Sequence, residues 1–116
     1  MSFLRIENKQ FIKDGAPVHL RGLNIGNWML VEHYMIGLPW TEYKMRALMR
    51  SELGEERFHA FWNTFMDESL KDEDFRFIAE CGFNWVQLPI NYRHFLADGT
   101  ATGFDQRGYQ YVDRVV

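Results

Sequence analysis

The sequence predicts an α/β chain whose principal strands run parallel and are joined through helices. Three observations carry this. "VHLRGLNIG" (18–26) and "GFNWVQLPI" (82–90) are the two most strand-like stretches. Helical periods fill the chain between them and after the second. Strand, helix, strand, helix is the rhythm of a parallel β/α sheet, because parallel strands need a crossover connection.

The elements follow in order. "FLRIENKQFIKDGAPVHLRGLNIG" contains two turn signals, Glu7-Asn8-Lys9 and Asp14-Gly15 before Pro17. Short strands are expected at about 3–6, 10–13 and 18–25. "NWMLVEHYMIGLPWTEY" has no clean period, and Gly37 and Pro39 predict a long ordered loop. Thr41 is a plausible N-cap for a helix with Met45, Leu48, Met49 and Leu53 on one face, and Gly54 stops it. Glu55 and Glu56 then open a helix with Phe58, Phe61, Trp62, Phe65 and Met66 at core spacing. Acidic residues 72–74 open a third, with Phe75, Ile78 and Ala79 inward and Gly82 as its C′ residue. The strand 83–90 reads as buried, with Trp85 in the core and Pro89 where ladder bonding stops. A loop with Asp98-Gly99 leads to "YQYVDRVV", a helix with Gly108, Val112, Val115 and Val116 on one face. A (β/α)8 barrel takes about 250 residues. The 116 residues hold two βα units, an N-terminal hairpin and a helical insertion, so the expected fold is the N-terminal part of such a barrel.

Composition narrows the function. The formal net charge is −3 with no basic run, which argues against nucleic acid. No apolar run approaches the roughly 18 residues of a membrane span. The opening "MSFLRIENKQ" is not a basic region followed by an apolar one. It predicts a cytoplasmic protein, or a secreted one whose signal has been removed. Cys81 is the only cysteine and is expected as a buried, inert thiol. His19, His33 and His59 have no partner at ligand spacing, so neither metal nor cofactor is expected. Open edges on a two-stranded parallel sheet predict self-association of the isolated chain.

"LRGLNIGNWMLVEHY", "DEDFRFIAECGFNWVQLPINYRHF" and "GYQYVDRVV", in that order, resemble the first third of a glycoside hydrolase of family 5, the cellulase and exo-β-glucanase group. Members have a strand like Leu20–Gly26, a Trp at the position of Trp28, an acid at that of Glu32, and a second strand of the pattern Val-Arg-Leu/Ile-Pro-Ile/Phe. The insertion 38–69 resembles one bacterial and fungal branch of the family. The resemblance implies a (β/α)8 barrel and retaining hydrolysis of β-glucosidic bonds in a β-glucan or β-glucoside. Two glutamates about 5–5.5 Å apart perform that reaction. In the family they end the fourth and seventh strands, so no catalytic residue is assigned within this chain. The chain then divides into a hairpin (1–17), first strand and substrate loop (18–37), helical insertion (38–69), and a helix, second strand and start of the next helix (70–116).

Six residues are candidate sugar contacts. Glu32 and Tyr34 match the family's Leu-Glu-x-Tyr stretch; alternatively Glu32 is a loop acid paired with Arg46 or Arg50. Trp40 offers a flat apolar face for a pyranose, whereas Trp28 and Trp62 read as packing residues. Asn91 and Tyr92 follow the end of the second strand, where barrel sites are built, although Asn91 also suits a turn. Arg93 and His94 read as a solvated loop. Gln87 stands where the family has Arg, which reaches the nucleophile. A fixed cation lowers a carboxyl pKa by roughly 1–3 units, and Gln keeps a donor without the charge. Either activation is weaker, another cation fills the role, or the protein is a non-catalytic carbohydrate-binding homologue. A fourth reading is a glutamine merely bonded to backbone.

Overall fold

The computed structural model describes residues 3–96 and 103–116; Asp98-Gly99 lies outside them. The chain opens with an antiparallel sheet of β1 (Arg5–Glu7), β2 (Gln10–Lys13) and β3 (Ala16–Pro17), in that order. Both hairpins turn on two residues with positive φ, Asn8-Lys9 and Asp14-Gly15. Such pairs match the right-handed twist of the flanking strands. The two-residue turn folds the chain back at once into Ala16–Pro17, a strand that the sequence reading did not give; the strand expected at 18–25 forms at Gly22–Asn24.

A second sheet pairs β4 (Gly22–Asn24) with β5 (Trp85–Gln87) in parallel. Gly22 faces Trp85, Leu23 faces Val86 and Asn24 faces Gln87. A Cβ on Gly22 would collide with the Trp85 carbonyl oxygen, so glycine permits this pairing. Asn84 extends the ladder: its side-chain oxygen accepts from the Arg21 N–H at 2.8 Å and its amide donates to the His19 carbonyl at 3.0 Å.

The helices cover one face of this sheet. α1 (Glu42–Glu68) is broken at Gly54, whose φ of 75° and ψ of 163° are non-helical, as the stop signal there predicts. Thr41 precedes it without a side-chain cap. α2 (Asp72–Glu80) begins with the Asp74 carboxylate accepting from the Lys71 N–H at 2.8 Å. It ends in a Schellman motif: Gly82 N–H donates to the Ala79 carbonyl and Phe83 N–H to that of Ile78. A 3-10 turn (Tyr92–His94) follows β5, and α3 (Gln106–Asp113) is capped by the Asp105 carboxylate. α3 starts earlier than expected because of that cap, and it stops before Val116, which is 88% exposed.

The core joins Ile25, Trp28, Met29 and Val31, just after β4, to Met45, Trp62 and Met66 of α1. Phe75 and Ile78 of α2 and Val112 of α3 pack against it, while Ala79, Leu48, Leu53 and Phe61 are exposed. Period two explains the main correction. Leu23 and Val86 face the helices, so Trp85 and Gln87 lie on the opposite, uncovered face of a two-stranded sheet. The segment 83–90 is therefore half-covered rather than buried; Trp85 is 46% exposed and Ile90 40%. Cys81 is exposed too, since it caps α2 on the solvent side. Among the described residues no helix is long and apolar enough to cross a membrane, and no His/Cys/Asp/Glu group could hold a metal.

Candidate functional site

Parallel strands open their C-terminal ends toward the same side, and the loops there carry the candidate residues. The loop after β4 is held at several points. Trp28 is 2% exposed and donates its Nε1 hydrogen to the Met66 carbonyl at 2.9 Å. The Met29 carbonyl accepts from the Asn91 N–H at 2.8 Å. The Val31 N–H donates to Glu42 Oε2 at 3.1 Å. These ties fix the chain immediately before Glu32.

Glu32 is half-buried. Its Oε1 accepts from the Tyr34 hydroxyl at 2.7 Å. Its Oε2 is buried without a partner and lies over Gly26, beside Met35 and the Asn24 amide. Only a residue without a Cβ at position 26 leaves room for that oxygen. The hydrogen bond from its hydroxyl to Glu32 holds the Tyr34 phenol above its usual pKa, so at neutral pH it remains a donor. The alternative pairing with Arg46 is not formed: the Arg46 Nε donates to Glu42 Oε1 at 2.8 Å instead.

Asn24 and Gln87 are register partners at the ends of β4 and β5, and both are exposed. The Gln87 carbonyl accepts from the Ile25 N–H at 2.8 Å, which extends the ladder. Gln87 is thus not a buried amide in search of partners. Asn91 is committed to structure on both ends of its amide. Its oxygen accepts from the Arg93 N–H at 3.1 Å, and its NH2 donates to Glu42 Oε2 at 3.0 Å. Tyr92 is 63% exposed. Trp40 is 41% exposed and lines a separate apolar cavity of about 260 Å³ with Ile36, Leu38, Met49, Phe61 and Phe65. The structure therefore brings Glu32 and Tyr34 together, aligns Gln87 with Asn24, and sets Trp40 apart.

Two further residues stand out, one that the sequence reading did not single out and one that it placed in a solvated loop. Glu42, 6% exposed, accepts from Val31, Asn91 and Arg46, and so ties the loop after β4 to the segment after β5. Its i,i+4 spacing to Arg46 is visible in the sequence, but its burial is not. His94 is half-buried rather than solvated. Burial first, then the positive charge of Arg46, push its pKa below the ordinary imidazole range, while a hydrogen bond with the Met29 backbone works the other way.

Comparison with known proteins finds similarity to a beta-xylosidase and to glucan 1,3-beta-glucosidases. It is 33% identical over 117 residues to a beta-xylosidase of Phanerodontia chrysosporium, covering 100% of this chain and 25% of that protein. It is 32% identical over 134 residues to a glucan 1,3-beta-glucosidase of Lachancea kluyveri, covering 100% of this chain and 29% of that protein. With the glucan 1,3-beta-glucosidase I/II of Saccharomyces cerevisiae it shares 33% identity over 116 residues, 82% of this chain and 25% of the yeast enzyme. The chain spans about a quarter of the length of these curated relatives. No family model and no solved structure matches it.

Proposed function

We propose, from this similarity along the chain to part of fungal β-glycosidases, that the chain is the N-terminal portion of a family 5 glycoside hydrolase. In this reading β4 and β5 are the first two strands of a (β/α)8 barrel. The whole protein cleaves β-glucosidic bonds by retaining double displacement, with both catalytic glutamates contributed by later strands. The substrate is a β-glucan or β-glucoside.

The observation that supports a role for this segment is the Glu32–Tyr34 pair at the end of β4. A half-buried carboxylate held at the end of a strand by a phenol is suited to accept a hydrogen bond from a sugar hydroxyl. Glu32 and Tyr34 then contact the glycone directly, Trp40 and Tyr92 offer stacking faces, and Asn91 positions the loop through Glu42. The test is hydrolysis of an aryl β-glucoside and a 1,3-β-glucan by the whole purified protein. Turnover with retained anomeric configuration is expected; no hydrolysis and no sugar binding would overturn the reading.

Gln87 favours a second reading, because its side chain is neutral and exposed where the family has Arg. Sugar binding without hydrolysis would identify a non-catalytic homologue. In the enzyme reading, Gln87→Arg in the whole protein is expected to raise kcat/KM at pH 7. The gain should shrink at higher pH, where the nucleophile ionises without help. An unchanged pH profile would show that position 87 does not act on the nucleophile.

A further inference from the structure

Behind the 42–68 helix, away from Glu32 and Tyr34, lies a cavity of about 310 Å³ whose wall is strongly cationic. Arg46, Arg50, Arg93 and Arg107 line it together with His59 and His94. These side chains come from both arms of α1, the 3-10 turn and α3. Several carboxylates offset part of this charge. Asp105 is the one carboxylate among the described residues of the wall, and it lies 3.5 Å from Arg107. Glu42 holds the Arg46 Nε, and Glu55 sits 3.4 Å from Arg50 and 3.2 Å from His59. Among the described residues, Arg93 forms no ion pair.

The guanidiniums are also braced. Arg46 lies 3.8 Å above the Trp62 ring, Arg50 4.6 Å above Phe58 and Arg93 5.0 Å above Tyr43. Bracing on aromatic faces lowers the entropy lost when such a group engages a ligand. The Arg46 Nη2 is buried with no hydrogen-bond partner.

We infer that this cavity binds a small phosphate-bearing anion, either free phosphate or the phosphate group of a monoester. A carboxylate offers two oxygens in one plane. A tetrahedral phosphate offers oxygens in several directions, which suits guanidiniums arriving from separate elements. The volume sits at the lower end of small-molecule pockets, roughly 300–1,000 Å³, and leaves room for an ester group beside the phosphate. The site is independent of the glycone reading, since its wall includes none of Glu32, Tyr34, Trp40 or Gln87.

The test is calorimetric titration of the whole protein, in phosphate-free buffer at fixed ionic strength, with inorganic phosphate, glucose 6-phosphate, glucose and sodium acetate. Saturable binding of a phosphate-bearing probe in the sub-millimolar range, with none for glucose or acetate, is expected. Tighter binding of glucose 6-phosphate than of phosphate would assign the site to a monoester; equal binding would assign it to phosphate alone. Arg93→Gln, an exposed position, should weaken binding at least fivefold without moving the thermal midpoint. Arg107→Gln provides a second variant should the first fold poorly. Absence of phosphate binding, or binding unaffected by both substitutions, would overturn the assignment.

Discussion

Glu42→Ala is expected to cost the whole protein about 3–5 kcal/mol of folding stability, the range for breaking a buried ion pair from one side. The Glu42 carboxylate accepts from three groups: the Val31 N–H, the Asn91 amide and the Arg46 guanidinium. Removing it leaves all three donors short of a partner where water has little access, with the carboxylate itself only 6% exposed. The loss of packing volume adds less, because the shortened side chain sits at the start of a helix that can relax. Glu42→Gln separates the contributions. Its amide oxygen can still accept from Val31 or Asn91, but it no longer offsets the Arg46 charge, so an intermediate loss is expected. Urea unfolding checks both variants. A loss below about 1 kcal/mol for Glu42→Ala would mean that solvent replaces the carboxylate and that the loop after β4 is not held through it.

Much of the scaffold was legible from local chemistry. The acidic start and Gly82 end of α2, the break at Gly54 and the parallel partnership of the two apolar strands follow from cap, glycine and connection rules. Burial was less legible. "GFNWVQLPI" reads as continuous and apolar, a pattern that belongs to a strand covered on both faces. Here the helices cover only the Val86 face, and Trp85 and Gln87 lie on the other. Long-range polar contacts were invisible for a related reason. Asn91 and Glu42 are 49 positions apart, and nothing in either neighbourhood marks the other. The same holds for His94, whose position beside Arg46 and the Met29 backbone depends on how the 3-10 turn packs under α1. At the candidate site, the sequence pairs Glu32 with Tyr34 only through the resemblance. The orientation of the carboxylate comes from Gly26, whose missing Cβ leaves room for its oxygen.

That role of Gly26 supplies the decisive experiment on the site. Under the glycosidase reading, Glu32→Ala should lower kcat/KM for an aryl β-glucoside by about 10–150-fold, since hydrogen bonds to a charged group contribute roughly 1.5–3 kcal/mol. A loss of activity alone does not distinguish a sugar contact from a loop acid. Gly26→Ala does. Its backbone is outside the left-handed region, so alanine is conformationally acceptable there. The added Cβ would collide with Glu32 Oε2, which is the end of a movable side chain rather than backbone. The fold should therefore survive while the carboxylate turns away from the end of β4. If Glu32 acts through its position, Gly26→Ala reproduces most of the loss seen in Glu32→Ala, and the two substitutions together add little more. Tyr34→Phe should cost less than either, because it removes the orienting hydroxyl and leaves the charge in place. Thermal midpoints check that these variants remain folded. Activity within twofold of the parent for Glu32→Ala would remove Glu32 from the glycone pocket. Full activity in Gly26→Ala beside a large loss in Glu32→Ala would show that the charge matters but this orientation does not.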